Sequence, residues 1–451
     1  MTEVTSVTTS VRPPRVGLYP YYVLVLLMLV TMINFIDRQL IAILSPSIQA
    51  DLGLTDWQMG AVKGIFFALL YAFLGIPIAR LADRTNRTAI VASAIAGWSV
   101  FTMLCGATQN FMQLAMARVG VSIGEAGGTA PAHSILSDYF PKEQRGFALS
   151  VVNIGVPLGI GFSFLGGGWL VTTFDWRTTC VIMGIPGLLV ALLVAITVRE
   201  PERGRLDLEP PTGRSPRKPS SDLSEILKTA RHMLAIPTFR AFAIAGAIAA
   251  MASYAKSTWI VDFFTRAHAD VPPMYVFTAL GLTQAVANTA GIFLSGYLVD
   301  RLSKRTRAVY AWVPAICLGI LFPLWGLCLW VDSFWVAIAL QVPICFFGST
   351  FLGPSFALAQ TLSPVAVRSV TAALFLLIIN LVGMGLGPTF VGFLSSGLMA
   401  QFGPDYSLRI ALSALLAGYL VASVIYMRAS EGIDADWARA TGHQHNKADH
   451  Q

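Results

Sequence analysis

The chain is poor in charge. Aspartate, glutamate, lysine and arginine make up 12% of its 451 residues, about half of the roughly 25% usual in soluble globular domains. With 55% hydrophobic residues and a mean hydropathy of +0.65, that deficit argues for a membrane protein rather than a water-soluble domain. Cysteine is sparse as well. Cys105, Cys180, Cys317, Cys328 and Cys345 stand apart, with no CxxC and no Cys/His ligand spacing, so no metal site is expected and they read as small packing residues. A G-x-x-x-x-G-K-[ST] loop is missing, which argues against direct use of ATP. No metal or organic cofactor is implied.

What the sequence has is a succession of apolar stretches of about 20 residues or more, each long enough to cross a hydrocarbon core of about 30 Å. They run over 20–49, 58–81, 88–108, 111–136, 145–171, 176–198, 237–265, 273–299, 307–331, 333–361, 366–398 and 405–428. The expected fold is therefore an all-α membrane protein with twelve transmembrane helices in two six-helix bundles. An N-terminal tail (1–19) precedes the first bundle (20–198). A linker (199–236) leads to the second bundle (237–428) and a C-terminal tail (429–451). No small-residue cleavage site follows the first span, which reads as a retained anchor helix.

Basic residues set the orientation. Arg84, Arg87, Lys142, Arg145, eight basic residues between Arg199 and Arg231, and then Arg301, Lys304, Arg305 and Arg307 fall on one side; Arg177, Arg266 and Arg409 fall on the other. Both termini are expected in the cytoplasm, with the protein in the cell (inner or plasma) membrane as a monomer. The net charge of +7 follows largely from this asymmetry. It reads as contact with anionic headgroups, not with nucleic acid. Asn86-Arg87-Thr88 matches a glycosylation sequon on the side where it would go unused.

The linker begins REPERGRLDLEPPTGRSPRKPSS, rich in proline, serine and charge. It ends in a segment where Asp222 is expected to cap a short helix with Glu225 reaching back. Leu223, Ile226, Leu227 and Leu234 would form that helix's apolar face, laid on the membrane surface.

The two halves echo each other. Asp83-Arg84 and Asp300-Arg301 lie 217 residues apart; Pro131, Pro141 and Arg145 match Pro354, Pro364 and Arg368 at a constant offset of 223. Parallel six-helix repeats with a site near the midplane between them are a transporter architecture. GYLVDRLSKR (296–305) resembles the loop signature of the major facilitator superfamily, with Ser303 where glycine is usual. ARLADRTNR (79–87) is a more altered copy, with Ala79 and Asn86 in place of glycines, and PERG (201–204) is also typical. Asn34, Asp37 and Arg38 of the first helix, with Arg118, Gly124, Glu125 and Ala126 of the fourth, resemble the Spinster-like family. The resemblance implies the major facilitator fold, alternating access, and proton-linked passage of a lysophospholipid or sphingolipid-like amphiphile.

Few charges lie deep in the spans: Asp37, Arg38, Arg118, Glu125 and Lys256, with Lys63 and Asp262 nearer the ends. Each costs at least about 2.5 kcal/mol at mid-membrane unless it pairs, meets water or faces the bundle interior. Arg118 and Glu125 share one face of the fourth helix, about 20° and 10 Å apart, while Asp37 and Arg38 diverge by about 100°. Estimated depths of about 16 Å for Asp37, 10 Å for Arg118 and 21 Å for Glu125 let Asp37 meet Arg118 and Arg38 meet Glu125. This cluster is either an ion-pair lock between helices or a protonation switch, since a moving arginine changes the proton affinity of a buried carboxylate. Asp37, Glu125, Arg118 and Arg38 are the candidate proton-coupling residues, with the proton as coupling ion. Arg38, Arg118, Glu125, Asn34 and Lys256 are candidates for substrate contact. Asp83, Arg84, Arg87, Asp300, Arg301 and Arg305 are candidates for conformational gating at helix ends.

Alternatives stay open. A small organic anion or drug-like compound as cargo fits the buried basic residues, a non-coupled facilitator fits the fold, and so does a transporter-like sensor. An enzyme reading rests on His133 and Asp138, an H-x-x-x-x-D spacing with no phosphate-binding motif beside it, and is not expected.

Overall fold

The structure, a computed structural model, describes residues 17–204, 223–364 and 367–448; among them there is no strand. The first crossing is α1 (Leu18–Leu52). The second joins α2 (Asp56–Lys63) to α3 (Ile65–Arg84), and the third is α4 (Arg87–Cys105). α5 (Phe111–Ala126) and α6 (Thr129–Tyr139) make the fourth. α7 (Lys142–Phe162), a π-helical segment (Ser163–Gly167) and α8 (Gly168–Thr173) make the fifth, and α9 (Trp176–Thr197) the sixth. After the short α10 (Leu223–Ala235) come α11 (Pro237–Ala267), α12 (Pro273–Leu302) and α13 (Val309–Trp330). α14 (Phe334–Gly348) and α15 (Leu352–Thr361) form the tenth crossing. α16 (Arg368–Ile379), a second π-helical segment (Asn380–Leu386) and α17 (Gly387–Ala429) complete the bundle, and α18 (Ile433–Ala448) follows.

Ten stretches of the described chain are long and apolar enough to cross a membrane. The fourth crossing is broken at Gly127 and Gly128, and the last stretch turns at Gly403, whose φ of +75° is followed by Pro404. The protein is therefore an integral membrane protein of twelve crossings. An even number of antiparallel crossings returns the chain to the face it started from. That face, carrying Leu18 and Ala429, is called here the terminal face, and the opposite one the far face.

Local chemistry sets the helix starts. Thr55 and Gln58 form a capping box at α2, and the side chains of Asn86, Asn110 and Asp175 accept from the backbone N–H groups of Ala89, Gln113 and Thr178, satisfying donors a helix start leaves open. The expected cap at Asp222 and Glu225 lies outside the described residues, as do the side chains of Leu223 and Ile226. Leu227 is exposed on α10, while Met233 is buried.

The repeat is visible as structure. α5 and α14 begin at Phe111 and Phe334, α6 and α15 at Thr129 and Leu352, all at the 223 offset. Close packing depends on glycine. A Cβ on Gly159 would lie 2.4 Å from the Met32 carbonyl oxygen, and one on Gly387 2.3 Å from that of Met251. The fifth crossing thus lies backbone against backbone on the first, and the eleventh on the seventh.

Candidate functional site

The two halves are sealed at the far face. Lys63 Nζ of α2 meets Asp262 Oδ2 of α11 at 2.6 Å, with both side chains almost wholly buried. Ser45 donates to the other Asp262 oxygen at 2.6 Å, and the Lys63 ammonium lies 3.8 Å from the Trp259 ring centre. One turn further out, Arg266 grips Asp56 through two bonds of 2.8 and 2.6 Å, and Gln49 and Ser395 also donate to Asp56. Backbone contact completes the seal, because a Cβ on Gly392 would lie 2.3 Å from the Asp56 carbonyl oxygen. Gln49 apart, these partners lie about two hundred residues apart or more, so no local pattern announces them.

The terminal face is different. Asp300 and Arg305 are exposed there, and Arg301 donates only to Tyr297 of its own helix at 2.7 Å. Arg84 is exposed, and the Asp83 side chain lies outside what is described. Among the gating candidates whose side chains are described, Arg87 alone is buried and fully engaged. It meets Asp138 at 2.6 Å and Glu200 at 2.7 Å, and donates to Ser134 and to the Pro201 carbonyl. Glu200 in turn accepts from the N–H and hydroxyl of Thr88 at 3.0 and 3.1 Å. Partial burial works to raise the Glu200 carboxyl, but the Arg87 guanidinium and the Thr88 bonds outweigh it and hold the group below the usual carboxylate range. Asp138 is thus committed to Arg87 and to the Gly204 N–H, which leaves His133 without an acid partner and removes the enzyme reading of that pair. The sequon residue Asn86 serves as a helix cap.

Midway between the faces sits the charge cluster. Arg38 donates to Glu125 Oε2 through Nε at 3.1 Å and Nη2 at 2.6 Å. Its guanidinium is boxed by the rings of Phe35, Phe67 and Tyr71, with centroids 5.1, 5.3 and 5.1 Å away. Arg118 stacks over the opposite side of the Phe67 region, 4.8 Å from that ring centre. The expected contact of Arg38 with Glu125 is made; that of Asp37 with Arg118 is not. Asp37 instead turns toward Trp98 and Thr102 of α4. Both of its oxygens are buried and accept no hydrogen bond of ordinary geometry among the described residues, and Trp98 Nε1 and Thr102 Oγ1 are likewise unbonded. The depth estimate carried no information about direction around the helix axis.

Beside this cluster opens a cavity of about 190 Å³, lined by Thr31, Asn34, Phe35, Arg38, Tyr71, Trp98, His133 and Asn153 among others. Arg38 supplies its cation; aromatic and aliphatic surfaces supply most of the rest. Lys256 lies elsewhere, in the second half, with 6% of its surface exposed and its ammonium 6.0 Å from the Trp325 ring centre. Sequence reasoning missed Trp98, Phe67 and Tyr71, since an aromatic in a membrane helix carries no mark of which face it occupies.

Two broken-helix repeats, one sealed face and a buried charge cluster at mid-depth agree with the comparisons. The profile of the Major Facilitator Superfamily matches residues 27–388. The chain belongs to that superfamily. It is 33% identical to an MFS-type efflux pump of Mycolicibacterium smegmatis (strain ATCC 700084 / mc(2)155), over 90% of this chain and 91% of that one. It is 27% identical to a probable galactarate/D-glucarate transporter of Bacillus subtilis (strain 168), over 79% and 81%. Among solved structures, a bacterial homologue of the human lysosomal transporter Spinster, in an inward-facing and unoccupied conformation, superposes with a TM-score of 0.82 and 31% identity, covering 93% of this chain and 98% of that one. The chain is thus a Spinster-like major facilitator transporter and not an enzyme.

Proposed function

We propose that this transporter is proton-coupled and moves a lysophospholipid or sphingolipid-like amphiphile by alternating access. The observation that carries the reading is Asp37, a fully buried carboxyl without a hydrogen bond, set beside a cavity whose cation, Arg38, is held by Glu125. A buried carboxylate without an ion-pair partner is costly as an anion, which makes it the natural place for a transported proton to be carried. When helices one and four move against each other, Arg118 or Arg38 approaching Asp37 would expel that proton. An anionic substrate competing for Arg38 would in turn release Glu125. The cavity is smaller than the roughly 300–1,000 Å³ that encloses a drug-sized ligand, which suits a headgroup with its chain lying outside it. With the termini in the cytoplasm, as the basic residues suggest, the sealed far face makes this an inward-facing state.

Reconstituted protein tests the reading. Asp37→Asn and Glu125→Gln are expected to fold and to lose lysolipid flux that depends on a pH gradient. Wild-type-like gradient dependence in both variants would remove the proposal. A second reading replaces the lipid by a small organic anion. The Bacillus relative, named for two sugar diacids, and the cation Lys256 favour it. Flux of D-glucarate in the same vesicles separates the two.

A further inference from the structure

The first and seventh crossings of the two halves touch directly. Gln39 Nε2 of α1 donates to Ser257 Oγ of α11 at 3.0 Å, and their chain neighbours Arg38 and Lys256 therefore occupy matching stations in the two halves. Arg38 reaches across to the broken fourth crossing and finds Glu125. Lys256 reaches across to the broken tenth. At the 223 offset that relates those two crossings, the counterpart of Glu125 is Gly348.

The contact itself confirms the register. A Cβ built on Gly348 would lie 3.6 Å from Lys256 Nζ, with Leu321 at 4.0 Å as its other neighbour. The second half thus keeps the cation of the pair and has a glycine, whose added Cβ would meet only ordinary contacts, where the first half has the carboxylate. Among the described residues Lys256 makes no ion pair or hydrogen bond. Other deep charges of the second half are matched, Asp262 by Lys63 and Arg409 by Asp405 at 2.9 Å. On the same face of α14, about 10 Å along the axis, Gln341 is fully buried with Oε1 accepting nothing. An unmatched cation and an unused acceptor are each expensive in a membrane interior.

We infer that Lys256, with the space above Gly348, is an anion-binding subsite: the negatively charged group of the transported molecule, a phosphate or carboxylate, takes the place that Glu125 fills in the other half. This rests on the transporter reading and adds a second contact point, in the opposite bundle from Arg38. A ligand held by Arg38 in one half and Lys256 in the other would bridge the two bundles, which is what a cargo must do to couple its binding to their movement.

Binding measured on the full-length protein in nanodiscs, without any gradient, tests it apart from proton coupling. The probes are lysophosphatidic acid, zwitterionic lysophosphatidylcholine and D-glucarate. Gly348→Asp places a carboxylate beside Lys256 and should weaken binding of the anionic probe by about tenfold, as should Lys256→Gln. Gly348→Ala, whose added methyl meets only ordinary contacts, and Lys256→Arg should stay within about threefold of wild type. Lysophosphatidylcholine should be indifferent to all four. Loss with the lysolipid alone points to a lipid headgroup, and loss with glucarate to a free organic anion. Equal affinities for Gly348→Asp and Gly348→Ala, or no binding of either anion by the wild type, would overturn the subsite. Neither result bears on gradient-driven flux, which tests the coupling separately.

Discussion

At the residue scale, Asp37 and Glu125 are both buried carboxylates on facing helices, yet their surroundings make opposite predictions. Glu125 holds Arg38 in a two-bond pair. Glu125→Gln leaves an arginine with 15% side-chain exposure unpaired, and breaking a buried pair costs about 3–5 kcal/mol. Asp37 forms no ion pair and faces Trp98 and Thr102 without a bond of ordinary geometry, so Asp37→Asn removes a desolvation cost and breaks no ion pair. Thermal unfolding in detergent should show Glu125→Gln clearly destabilised and Asp37→Asn equal to wild type or above it. The same asymmetry shows why a pairing argument from depth alone succeeded for one residue and failed for its neighbour. Arg38 is long and samples a wide arc, whereas a short aspartate reaches only what its own face presents.

At the element scale, Arg87 ties the start of α4 to the end of the fourth crossing through Asp138, and to the chain after α9 through Glu200. Because the Glu200 carboxyl is held below its ordinary value, its contribution is fully present above the unfolded pKa of about 4.3. It is lost as pH falls through the lower, folded value. Glu200→Gln should flatten that acid limb of the stability profile while leaving neutral-pH transport in place. A second prediction concerns Gly392, where any side chain meets the Asp56 backbone. Gly392→Ala should weaken the far-face seal, read as a longer distance between labels on the 53–55 loop and the 400–403 turn. Much of this layer was legible beforehand. Composition and apolar run lengths gave twelve crossings, and the Pro131/Pro354 register carried over directly to the breaks after Ala126 and Gly348. The π-helical segments were not legible, since nothing in SFLGG or NLVGMGL distinguishes an i→i+5 turn from an α turn.

At the scale of the whole molecule, the halves are joined by buried charge pairs on one face, while the charges on the other stand exposed. Lys63 with Asp262 and Arg266 with Asp56 hold the far face, while the acidic and basic residues after α12 stand exposed on the terminal face. Such pairs join helices from different halves, and one sequence without its fold cannot say which distant charge meets which. Asp262→Asn strands Lys63 in an apolar site at a cost of about 3–5 kcal/mol. It should shift the population toward states open at the far face, seen in the same label distances. The central proposal is narrower: that Asp37 is the group through which a proton gradient drives the cargo. The most direct measurement is lysolipid flux in proteoliposomes, with and without an imposed pH gradient, for wild type and Asp37→Asn. The prediction is a gradient-stimulated flux in the wild type that disappears in the variant. Equal stimulation in both, or none in either while lysolipid still moves, would contradict it.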